Sequence, residues 1–179
     1  MTVAAAVAAW AGAALIVLAD GRRGLAAGIA LIAAGFAVLA WTAGDWFAGA
    51  AVLAGGAVCA IQLLRSGRQD WGLMPPGSTA RLISAMVGGI LSLWVAASVT
   101  IGHGIPLRFA SLSVLVLMAA RLLQGQKALP VLTAAAGLAL ALAGASALGR
   151  TSPGLAPYLL AAVIAAGASF LPVAESRGG

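Results

Sequence analysis

Arg65-Ser66-Gly67-Arg68-Gln69-Asp70-Trp71-Gly72-Leu73-Met74-Pro75-Pro76-Gly77-Ser78-Thr79-Ala80-Arg81 is the only polar stretch longer than a tight turn in this chain. Everything before it, residues 1–64, and after it, residues 82–179, is a series of apolar runs separated by a few turn residues. The segment therefore divides two blocks of one membrane domain, and its three arginines fix the side of the membrane on which it lies.

The composition excludes a water-soluble fold. Hydrophobic residues make up 63% of the 179 residues and charged residues 8%, with a mean hydropathy of +1.09; a polar surface cannot be assembled from so few charges. Ten basic residues against four acidic ones give a net charge of +6. They sit singly between apolar runs rather than on one polar face, so they report membrane topology and not a nucleic-acid partner. Nine of the ten basic residues are Arg, beside abundant Ala and Gly, a composition associated with bacterial genes and here with the inner, cytoplasmic membrane. Cys59 is the only cysteine, which rules out an intrachain disulfide and a thiolate cluster. The N-terminal Met-Thr-Val-Ala-Ala has no basic n-region, so the first run reads as a retained helix and not a cleaved signal.

A hydrocarbon core about 30 Å thick calls for roughly 20 apolar residues at 1.5 Å each. Seven stretches qualify: 3–19, 25–42, 46–64, 82–101, 105–123, 129–148 and 155–171. They are continuously apolar rather than alternating, which predicts helices and excludes a barrel. The expected fold is thus all-α, a polytopic bundle of seven helices in a 3+1+3 plan about the 65–81 loop. Placing the N-terminus outside and the C-terminus in the cytoplasm puts Arg22, Arg23, Arg65, Arg68, Arg81, Arg121, Lys127 and Arg177 inside, with only Arg108 and Arg150 outside. The positive-inside rule favours that orientation. The fifth span is the shortest between charges, residues 109–120, and needs Arg108 and Arg121 to snorkel to the two interfaces.

Helix association in lipid rests on close contact, which small residues at four-residue spacing allow. Gly24 and Gly28 lead toward Gly35; Ala51, Gly55 and Cys59, then Ser84, Gly88 and Ser92, then Gly137, Ala141 and Gly144 repeat the pattern. Trp10 and Trp94 fall inside their spans, where an indole N–H needs a partner. Trp41, Trp46, Tyr158 and Trp71 fall at interfaces, as amphipathic rings prefer.

Chemistry is sparse. Asp20, Asp45, Asp70 and Glu175 lie at helix ends or in loops, so no proton relay within the membrane is predicted. His103, in Gly-His-Gly, is the only histidine; it brings no further metal ligand and no catalytic triad. The glycine-rich turns lack a Gly-Lys-Ser/Thr ending, so they are not phosphate loops. Gln62 and Ser92, Ser98, Ser111, Ser113, Thr133 and Ser146 would either line a polar path or bond back to their own helices. No catalytic group, metal site or cofactor is expected. The central loop is the best contact surface: Arg65, Arg68 and Arg81 suit anionic lipid headgroups, and Trp71, Leu73 and Met74 offer apolar anchors ahead of the stiff Pro75-Pro76.

The 3+1+3 plan resembles the parallel repeats of sugar-transporting SWEET proteins in topology alone. Helix count and an outer N-terminus are similar to those of microbial rhodopsins, but Lys127, the only lysine, is in a loop and unable to hold retinal. Between Gly72 and Pro153, the run Gly72-Leu73-Met74-Pro75-Pro76-Gly77, the Arg81-Leu82 pair and the Gly125-Gln126-Lys127 turn resemble the small membrane subunit of tripartite tricarboxylate transporters, with a departure in helix count and order. The expected function is a non-catalytic integral membrane subunit of a larger inner-membrane assembly, a transporter or an energy-converting complex, in contact with lipids and other membrane subunits. The alternative is a small self-sufficient transporter or channel for a weakly polar solute, working as a homo-oligomer.

Overall fold

The structure, a computed structural model, describes residues 1–67, 70–72, 79–99, 104–124, 127–148 and 154–171. Among them are seven helices: α1 (Thr2–Leu18), α2 (Arg22–Thr42), α3 (Trp46–Arg65), α4 (Thr79–Val99), α5 (Ile105–Gln124), α6 (Ala128–Ser146) and α7 (Ala156–Ala168). Five of them, α2 to α6, are long and apolar enough to cross a membrane, whereas α1 with 17 residues and α7 with 13 are shorter. At 1.5 Å per residue α7 covers about 20 Å.

Local chemistry sets the helix ends. The Asp45 carboxylate caps α3 by accepting from the Ala48 N–H at 3.0 Å, and Gly44 turns the chain into that cap at φ +88°. Pro157 lies in the first turn of α7, where its missing N–H leaves no partner wanting. Helix α4 begins at Thr79 rather than at Leu82, so Arg81 belongs to its first turn and not to the preceding loop.

Neighbouring helices alternate in direction, which the glycine contacts reveal. Gly24 approaches Ala19, Gly28 faces Gly12 and Ile16, and Gly35 faces Ala5 and Ala9, an antiparallel register of α1 on α2. A Cβ on Gly28 would lie 2.5 Å from Ile16 Cγ1 and 2.8 Å from the Gly12 carbonyl oxygen; only hydrogen fits there, so the two backbones pack at close range. Gly49 and Gly56 set α3 against Trp41 and Ala33 of α2 in the same antiparallel sense. Gly137 touches Met118, and Gly144 lies beside Ser111, which makes α6 antiparallel to α5.

Two rows result. Helices α1, α2 and α3 form one, α5, α6 and α7 the other, with α1 against α5, α2 against α6 and α3 against α7. Gly137 and Gly144 of α6 meet Ile32 and Phe36 of α2, and Gly55 of α3 meets Ala162 of α7, so facing helices of the two rows run in parallel. A two-fold axis along the bundle, as parallel repeats of the SWEET kind possess, would instead set α1 opposite α7. The rows here run in the same order and are related by displacement.

Helix α2 is the centre, with Leu25, Ile29, Ile32, Ala33 and Phe36 buried. Helix α4 is peripheral, packed on α5 and α1. Its Gly88 is the loosest of the glycines expected in packing stripes, since a Cβ there would sit 3.3 Å from the flexible end of Leu117. Trp94 is 68% exposed on the outer side of α4, whereas the Trp10 indole N–H is buried beside Gly89 without a hydrogen-bond partner.

Candidate functional site

The alternating directions gather the ends of α1, α3, α5 and α7 and the starts of α2, α4 and α6 at one end of the bundle. Asp20 lies at its heart. Helix α1 stops at Leu18, Ala19 is extended, and Gly21 caps α2, leaving Asp20 in a tight corner. The Asp20 N–H donates to the Gly72 carbonyl and the Arg23 N–H to the Asp70 carbonyl, each at 3.0 Å. A side chain on Gly21 would collide with the backbone of Asp70 to Gly72 at 2.5–2.6 Å, and Gly72 itself takes φ +47°. Residues 70–72 of the central segment are thus laid directly on the α1–α2 corner.

The Asp20 carboxylate collects three cations from three other elements. Its Oδ1 accepts from Arg81 Nη1 of α4 at 3.1 Å and from Arg121 Nη2 of α5, while Oδ2 accepts from Lys127 Nζ, just before α6, at 3.3 Å. The same Arg121 nitrogen donates to the Ala19 carbonyl at 3.1 Å. Exposure grades outward, from 2% for the Arg121 side chain through 14% for Asp20 and 24% for Arg81 to 70% for Lys127. Burial by itself pushes the Asp20 carboxyl up, but hydrogen bonds and positive charge from Arg121 and Lys127 outweigh it and hold the group below the ordinary carboxylate value. One carboxylate among three cations leaves the junction net positive.

This placement corrects the expectation that Arg121 snorkels outward: its guanidinium is turned into the bundle end, because Asp20 and a carbonyl offer partners there. Arg81, expected to face lipid headgroups, is also engaged with Asp20. Arg65 ends α3 at the same end and is exposed, and Trp71 is 51% exposed. Arg68, Leu73 and Met74, the other expected contact residues, lie outside the described residues, as does His103. The Asp20 junction was missed because the three cations lie 61 to 107 residues from Asp20 in sequence. The usable signal was Arg121 near the end of a short span, since a buried arginine requires a carboxylate.

Within the bundle, hydroxyls bond back to their own helices: Ser113 to Ala110, Thr133 to Leu129 and Ser146 to Ala143. Ser111 departs from this pattern and is buried without a partner. Among the described residues no three His, Cys, Asp or Glu side chains come together as a metal site would require, and Cys59 is buried within α3.

The opposite end holds a cavity of about 530 Å³ whose wall includes Phe36, Asp45, Trp46, Phe47, Gly144 and Tyr158. Trp41 and Trp46 stack beside it with centroids 6.0 Å apart. Compared with protein-family models, curated proteins and solved structures, the chain shows no significant match to any of them.

Proposed function

We propose that the protein is a non-catalytic, seven-span subunit of a larger assembly in the bacterial inner membrane, with its N-terminus outside and its C-terminus in the cytoplasm. Orientation follows from charge: Arg22, Arg23, Arg65, Arg81, Arg121 and Lys127 share the Asp20 end, and Arg108 lies toward the other. The positive-inside rule makes the Asp20 end cytoplasmic. The short α1 and α7 cross by local bilayer thinning and by snorkelling of flanking residues.

The observation that carries the subunit reading is the commitment of interior polar groups other than Ser111 and the Trp10 indole. The hydroxyls of Ser113, Thr133 and Ser146 are satisfied within their own helices, and Arg121 is locked to Asp20, an arrangement that stabilises a bundle and does not relay a proton. Helix α4 adds a broad outer face, with Ile83, Val87, Ile90 and Trp94 exposed, available to acyl chains and to a neighbouring subunit. Native mass spectrometry after mild extraction from the source membrane, supported by crosslinking, tests this. Different polypeptides in stoichiometric complex are expected, and a lone chain or homo-oligomer would overturn the reading.

The cavity at the Asp45 end favours a second reading, a small transporter for a weakly polar solute. Purified protein in liposomes separates the two, since an accessory subunit alone gives no solute flux.

A further inference from the structure

The cavity at the Asp45 end combines features that a purely structural void lacks. Its mouth carries Trp46 and Phe47, 67% and 77% exposed, and its inner wall carries Phe36 and Gly144. Asp45 stands on the wall together with Tyr158. One carboxylate oxygen accepts from the Ala48 N–H as the α3 cap, which leaves the other available, and among the described residues no cation pairs with Asp45.

Behind that wall, and not among the residues that line the cavity, lies Ser111. Ser111 lies four residues after the wall residue Leu107, on the same face of α5. It is 1% exposed, its hydroxyl has no hydrogen-bond partner, and that oxygen is 3.3 Å from where a Cβ on Gly144 would stand. Ser113, two residues on, shows the usual alternative of bonding back to its own helix. A buried, unsatisfied donor is costly, but this hydroxyl is closed off from the cavity and offers a ligand no contact.

We infer that this cavity binds an amphipathic organic cation, an aryl-alkyl amine or quaternary ammonium. Asp45 holds the cationic head, with the Trp46 ring face in support. Phe36, Phe47 and Leu107 enclose the apolar body. A volume of about 530 Å³ is of small-molecule size. Arg108 follows Leu107 in sequence but is not part of the wall. The inference goes beyond the subunit reading and holds whether the chain works in an assembly or alone.

Equilibrium dialysis of the protein in phosphatidylcholine nanodiscs, with empty nanodiscs as baseline, tests it using (3-phenoxypropyl)trimethylammonium. Its neutral isostere has a quaternary carbon in place of nitrogen. Saturable binding of the cation is expected, at least about tenfold tighter than the isostere. Asp45→Asn keeps a competent helix cap and should remove that preference, while Arg108→Gln should leave it intact. Ser111→Ala, outside the lining, should leave binding unchanged. The inference is overturned if the isostere binds wild-type protein as tightly as the cation, if Asp45→Asn preserves the preference, or if binding does not saturate above the baseline. The comparison of cation with isostere needs no variant, so a misfolded substitution cannot obscure the result.

Discussion

Arg121 and Asp20, 101 residues apart, form an ion pair at the bundle end in which the arginine side chain is only 2% exposed. Removing one partner of such a pair strands the other in a poorly hydrated place, at a cost of about 3–5 kcal/mol. Asp20→Ala should therefore lower the melting temperature of the purified protein sharply. Asp20→Ala combined with Arg121→Met should recover much of the loss, because the stranded charge is gone. Lys127→Ala, which removes a contact from a 70% exposed side chain, should cost no more than about 1 kcal/mol.

The same carboxylate gives the stability a pH signature. Its folded-state pKa lies below the ordinary 3.8, so its contribution is complete above that value and is lost as pH falls through the lower folded value. Melting temperature in detergent should be insensitive to Asp20 between pH 5 and 7, as about one unit above the ordinary value already ionises it, and should fall under stronger acid. In Asp20→Asn this component of the acid loss should be missing, which a paired pH series would reveal.

Close backbone contact between α1 and α2 makes Gly28 intolerant. Gly28→Val forces a Cβ to within 2.5 Å of Ile16 Cγ1, and overpacking of this kind typically costs about 1–3 kcal/mol. Gly167→Ala, in α7 with open space around it, should instead stabilise by up to about 1 kcal/mol through helix propensity. A thermal-shift comparison of the two variants checks both signs.

Orientation is open to labelling. Cys59 is 2% exposed and should react slowly with a membrane-impermeant maleimide. Phe47→Cys, at a position 77% exposed near the Asp45 end, should under the proposed topology label in intact cells, and Arg65→Cys only after lysis. The reverse pattern would invert the proposed topology.

Much of the fold was legible in the sequence because lipid leaves a helix as the only way to satisfy an apolar backbone. The runs beginning at Trp46 and Ile105 coincide with the starts of α3 and α5. Boundaries slipped where polar residues continue a helix, as at Thr79 to Arg81, and where the last residues of an apolar run leave it, as after Ala168. The order of the two rows was not legible, since glycine stripes announce close contact without naming the partner. Neither was the Asp20 junction: charge counting placed its three cations on one side of the membrane, but only the fold brings them to Asp20. The Asp45 cavity draws on α2, α3, α5, α6 and α7, and no local pattern encodes such a convergence.

The clamp on Asp20 also has a temporal meaning. Asp20 leaves the ribosome well before Arg81, Arg121 and Lys127, so α1 to α3 enter the membrane with that carboxylate still awaiting its cations. Closure of the junction must follow synthesis of α5, and the last partner, Lys127, arrives as α6 begins. A nascent fragment ending before Arg121 thus holds Asp20 with only Arg81 of its three cations at that end of the bundle.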